Sequence, residues 1–116
     1  FKTYEDFLER GFASLQAGKN VEAIKDFTQA ITINNNSTEA YDLRAYARFR
    51  IGDYRGAIED YTKTIQINSQ EIDAYFLRCC SYSNCGEYEK AIEDYTNVIQ
   101  AQPDYLDAYH NRGNIL

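Results

Sequence analysis

The sequence predicts an all-α protein assembled from one repeated helix pair, and three observations carry that expectation. First, residues recur at a spacing of 34: Ala23, Ala57 and Ala91, each followed by Ile; Gly18, Gly52 and Gly86; Phe27, Tyr61 and Tyr95. The phrases VEAIKDFT, RGAIEDYT and EKAIEDYT are versions of one another, as are AYDLRA, AYFLRC and AYHNRG. Such a period marks stacked supersecondary units, none of which can bury its apolar face alone. Second, apolar residues inside a unit return at steps of three and four, the helical spacing. Third, each recurring glycine falls where a C-terminal glycine would stop a helix.

Counted from Tyr4, the units span 4–37, 38–71 and 72–105, and a fourth begins at Leu106 and breaks off at Leu116. Unit 1 reads as two helices parted by Gly18. In unit 2 the first helix lies between Thr38 and Arg50, where Ala40, Tyr41, Ala45, Tyr46 and Ala47 recur at helical spacing and Gly52 ends the run. Its second helix starts at Tyr54, with Ala57, Ile58, Tyr61 and Ile65 on one face and Glu59 and Lys63 on the wet side. That helix ends near Asn68 and Ser69. Unit 3 turns at Gly86 and stops at Gln102-Pro103, because proline has no N–H to continue a helix. The total is about seven helices. Small residues at one crossing position, Gly11, Ala45, Cys79 and Gly113, let paired helices approach closely.

Composition narrows the function. A chain of 116 residues is one structural unit, and 44% hydrophobic against 26% charged residues argues against disorder. No apolar run reaches the roughly 18 to 20 residues of a membrane span, and no charged start leads into an apolar h-region. The expectation is a soluble, cytoplasmic protein without membrane insertion. A formal charge of −6 argues against nucleic acid, whose phosphates require clustered Lys and Arg. Cys79, Cys80 and Cys85 form no CxxC, and the single His110 lies far beyond them, so no metal site and no cofactor are expected and the thiols read as reduced packing groups. Asn35 and Asn36 fall in N-x-[ST] sequons, a motif too loose to weigh without a secretion signal. Tyrosines 41, 54, 61, 75, 82, 88, 95 and 109 sit at frame positions and are expected to be mostly core.

An aromatic at the fourth position (Phe7, Tyr41, Tyr75, Tyr109), a small eighth residue, glycine at the fifteenth, alanine at the twentieth, an aromatic at the twenty-fourth and Pro103 at the thirty-second resemble the tetratricopeptide repeat. The match runs from residue 4 to 116. It departs at Asn35 and Ser69, where proline is usual, and at Asn20, where units 2 and 3 have Tyr54 and Tyr88. The resemblance implies a right-handed α-solenoid of antiparallel helix pairs whose first helices line a concave groove. It also implies an excerpt of a longer array or of a larger protein.

Arg10, Arg44, Arg78 and Arg112 follow the period, as do Asp26, Asp60 and Asp94. A ladder gripping a ligand anion is one reading. The preferred one pairs each arginine with an aspartate at the helix interface, since a buried guanidinium needs a partner. Groove positions supply Leu8, Phe12, Leu43, Tyr46, Phe49, Phe76, Leu77 and Cys80, with Arg50, Gln16 and Asn84 toward the far side and Glu5, Glu39, Asp73 and Asp107 along one rim. This stripe suits a protein or peptide with apolar anchors and some positive charge. The Lys, Asn and Arg clamp with which related repeats hold acidic chaperone tails has no counterpart, because the corresponding residues are Leu8, Phe12, Leu43, Asp73 and Leu77; such tails are not the expected ligand. No nucleophile, acid–base pair or phosphate loop emerges. The expectation is a non-enzymatic interaction scaffold, with self-association or a non-catalytic domain of a larger enzyme or sensor as alternatives.

Overall fold

A left-handed glycine closes the first helix of each of the three described units. In the computed structural model, which describes residues 2–105, Gly18, Gly52 and Gly86 have φ of 80°, 84° and 86°. After the second of them, Asp53 N–H returns to the carbonyl of Arg48 at 2.8 Å and Gly52 N–H to that of Phe49 at 3.0 Å, so the last carbonyls of the helix are satisfied. A side chain at any of these glycines would be strained whatever the space around it. The helices that result are α1 (Tyr4–Gln16), α2 (Asn20–Ile33), α3 (Thr38–Arg50), α4 (Tyr54–Ile67), α5 (Ile72–Asn84) and α6 (Tyr88–Ala101). Capping varies at their starts. Thr3 and Asp6 form a reciprocal capping box on α1, and the Asp53 side chain accepts from Gly56 N–H on α4. The fourth unit, with Asp107, Tyr109, His110, Arg112 and Gly113, lies outside the described residues.

The helices pack in chain order: α1 on α2, α3 on α4 and α5 on α6 within units, and α2 on α3 and α4 on α5 between them. Nearest-neighbour packing of this kind defines a solenoid, and the body measures 45 × 26 × 26 Å. Three buried clusters lie along it. The first joins Leu15, Ala23, Phe27 and Ala47; the second Ala45, Ala57, Tyr61 and Ala74; the third Phe76, Cys80, Val98 and Tyr105. Each of the first two takes a residue from the first helix of the following unit, which is how one unit completes the core of another. Close approach matters within a unit as well: a Cβ on Gly11 would lie 2.6 Å from the Phe27 ring.

One expectation needs correction. Among the described frame tyrosines only Tyr41 and Tyr61 are fully buried, while Tyr88 and Tyr95 are exposed. At the twenty-fourth position Phe27 and Tyr61 are core because they pack against Ala47 of α3 and Ala74 of α5. The cysteines do behave as packing groups. All three are free thiols, and burial, with Cys79 adding to it, pushes the Cys80 thiol up to about 12, out of nucleophilic range.

Candidate functional site

Arginine and aspartate meet 16 residues apart in each complete unit. Arg10 Nε and Nη2 donate to Asp26 at 3.0 and 2.7 Å, Arg44 to Asp60 at 2.9 and 2.7 Å, and Arg78 to Asp94 at 2.8 and 2.8 Å. These are two-pronged contacts, the geometry that best offsets the desolvation of both ions. The seventh-position arginine also lies over the fourth-position aromatic, with Arg10 5.6 Å from Phe7, Arg44 6.0 Å from Tyr41 and Arg78 5.7 Å from Tyr75. The two later arginines reach further: Arg44 Nη1 donates to Thr28 of unit 1 at 3.2 Å, and Arg78 Nη1 to Thr62 of unit 2 at 3.0 Å. With every aspartate engaged by its own unit, these guanidinium groups are structural cross-links and not free anion receptors.

The proposed groove residues divide by exposure. Phe12, Tyr46 and Arg50 are exposed, and Leu8, Leu43, Phe49 and Leu77 are half-buried against the core clusters. Phe76, expected as an anchor, is only 2% exposed and lies 5.5 Å from the Tyr105 ring; Cys80 shares its cluster. Both belong to the core. Phe49 is committed on two sides, packing on the second and third clusters and meeting Tyr54 edge-on at 5.3 Å. Arg50 lies over the Tyr46 ring at 5.5 Å. Glu5, Glu39 and Asp73 occupy first turns of α1, α3 and α5, where exposed helix N-termini favour acids.

One cavity draws part of this set together. It has a volume of about 180 Å³ and is lined by Asp42 and Tyr46 of α3, Tyr61 of α4, Glu71, and Asp73, Ala74 and Leu77 of α5. Tyr46, Leu77 and Asp73 were expected there; Phe12, Leu8, Glu5 and Glu39 do not line it. Asp42 and Glu71 were missed. Asp42 takes up the fifth position, which is Leu8 in unit 1 and Phe76 in unit 3, so a charge at an otherwise apolar position was the available signal. Thr64 Oγ1 donates to Asp42 Oδ1 at 2.8 Å, and the Tyr105 hydroxyl donates to Asp73. Burial raises the Asp42 pKa to about 6; the Thr64 hydrogen bond opposes this, and the charges of Glu71, Asp73 and Asp60 add to it. The result is an aromatic-walled, strongly acidic recess between the first helices of units 2 and 3. Among the described residues no group of three or more His, Cys, Asp or Glu side chains is placed to hold a metal, and no helix is long and apolar enough to cross a membrane.

Comparison with known proteins places these features in context. Residues 38–71 match a family model described as "Tetratricopeptide repeat", and residues 81–116 match a second, described as "TPR repeat". No curated protein is similar enough in sequence to count as a match. Among solved structures, MamA is similar with 28% identity and a TM-score of 0.86, over 96% of this chain and 69% of that one. The second TPR domain of human RPAP3, solved in complex with the HSP70 peptide SGPTIEEVD, is 25% identical with a TM-score of 0.80, over 84% of this chain and 81% of that one. YrrB, described as a TPR protein with an unusual peptide-binding site, shares the fold at 21% identity and a TM-score of 0.87, over 97% of this chain and 58% of that one.

Proposed function

The chain belongs to the tetratricopeptide repeat family, and from that premise we propose that it is a non-enzymatic scaffold holding a peptide or helix of another protein in the groove of its first helices. The carrying observation is the recess between α3 and α5, where Tyr46 stands exposed beside Leu77 without serving any of the three core clusters. Exposed aromatics beside a concave, partly apolar surface are typical binding anchors. Charge then selects the ligand. Asp42, Glu71 and Asp73 line the recess, so an acidic tail like the SGPTIEEVD peptide held by RPAP3 would meet repulsion. Leu8, Phe12, Leu43, Asp73 and Leu77 offer such a tail no cation. An apolar peptide with positive charge fits.

A peptide-array screen against the full chain, followed by Tyr46→Ala and Leu77→Ala, tests this reading. Each substitution is expected to weaken the best binders by about tenfold, the effect of losing an interface anchor. Binding that survives both would remove the groove assignment.

A further inference from the structure

Aligning the three units position by position exposes one place where the middle unit departs from its neighbours twice. Unit 1 has Leu8 and Ala30, unit 3 has Phe76 and Val98, and unit 2 has Asp42 and Thr64. In unit 3 the two residues share a buried apolar cluster. In unit 2 they form a hydrogen bond between a fully buried hydroxyl and a carboxylate that lines the open recess. Folding does not call for this exchange, since the same helix pair closes around apolar residues on either side, and a desolvated carboxylate costs stability unless paired. Asp42 takes part in no ion pair among the described residues, although Arg44 and Arg48 share its helix: both guanidinium groups are turned to Asp60.

We infer that the recess receives a lysine or arginine side chain of the bound peptide, its cationic head beside Asp42, Glu71 and Asp73 and its methylene stem along Tyr46 and Leu77. This rests on the groove-binding reading and names the contact that selects the ligand. Charge complementarity fixes the occupant. The carboxylates supply the counter-charge, the aromatic ring and leucine cover the stem, and Thr64 holds the carboxylate in place. A bidentate guanidinium or a compact ammonium satisfies the chemistry equally, and a protein segment is the source because the apolar lining, Tyr46 and Leu77, matches the methylene stem of a basic side chain.

Occupancy is then tied to pH. The groups facing Asp42 are Tyr46 on its own helix, Thr64, Asp60 and Tyr61 from α4, and Glu71, Asp73 and Leu77 from the α5 side; burial, with the neighbouring carboxylates adding to it, keeps its proton bound up to about pH 6. A bound cation favours the ionised form, so the proton leaves as the ligand enters. Affinity is therefore full above pH 6 and falls as the pH drops through it.

The test uses the full chain with Nα-acetyl-lysine methylamide, and with Nα-acetyl-norleucine methylamide as its uncharged counterpart, read by carboxyl carbon NMR of Asp42. The lysine probe is expected to lower the Asp42 midpoint below 6, to perturb Tyr46 and Leu77, and to lose about tenfold in affinity between pH 7.5 and pH 5. In Asp42→Asn that pH dependence should vanish and the preference over norleucine should fall. Equal response to the two probes, or a midpoint unmoved by lysine, would overturn the inference. The two readings part cleanly. Array peptides that bind through Tyr46 with no preference for a basic residue leave the groove intact and sink the cation site; a lysine effect at Asp42 without any peptide binding does the reverse.

Discussion

The two ends of the described solenoid present opposite surfaces made from the same positions. On α1 the outward positions are Asp6, Glu9 and Ala13, all exposed; their equivalents facing a preceding unit are Ala40, Leu43 and Ala47 on α3 and Ala74, Leu77 and Ser81 on α5, buried or half-buried. On α6, Ile92 is 64% and Tyr95 39% exposed, whereas Tyr61, the equivalent of Tyr95, is 1% exposed beneath α5. The α1 face is polar. The other keeps the apolar dress of an interior interface, a patch of the kind that marks contact surfaces. Position in the frame therefore sets which residue type is allowed, and the neighbouring unit sets what that residue does.

The largest expected contrast comes from the aromatic position. Tyr61→Ala should cost about 4 kcal/mol, the loss of a fully packed ring, and Tyr95→Ala less than about 1 kcal/mol. Chemical denaturation of both variants measures this; equal losses would mean that the α6 face is as enclosed as the interior.

The arginines sharpen the same comparison at a smaller scale. The Arg10 side chain is 53% exposed against 14% for Arg44 and 16% for Arg78. Arg44→Leu leaves the buried Asp60 with only Arg48 and should cost on the order of 3 kcal/mol. Arg10→Leu should cost far less than Arg44→Leu, because a solvated pair gains little. A melting temperature unchanged in Arg44→Leu would show that the pair is not a structural link.

The smallest effect has the opposite sign. Because the folded-state pKa of Asp42 lies at about 6, above the unfolded 3.8, the folded protein holds a proton that the unfolded chain has released between those values. Stability at this site is thus greatest below pH 4, declines as pH rises to about 6 and stays reduced above it. Asp42→Asn should gain about 1 kcal/mol at pH 7 after allowance for partial exposure, and nothing at pH 4. Thermal melts at the two pH values check the sign.

Much of this architecture was legible because it is written three times. The limits of α3 at Thr38 and Arg50, the start of α4 at Tyr54 and the end of α6 before Pro103 follow from glycine, proline and helical spacing. The Arg–Asp pairing followed from two residue types sharing one period. The groove was read less well. Phe76 carried the same apolar signal as Tyr46, and only packing against Tyr105 separates core from surface there. Asp42 escaped because a search for an apolar stripe passes over a charge, when the break in the stripe was the informative feature. Exposure of Tyr88 and Tyr95 depends on what lies beside the unit, which no reading of a single unit contains.

Arg44 and Asp60 stand 16 residues apart inside one 34-residue block, and so do the other pairs. A gene segment encoding one block, copied or lost whole, carries a buried cation together with its own anion. The array can then grow or shrink by tandem duplication without stranding an ion in the interface, while the threonine contact and the apolar partner on the next first helix are supplied by the adjoining copy. Charge balance inside each block makes the length of such a protein an easy trait to change.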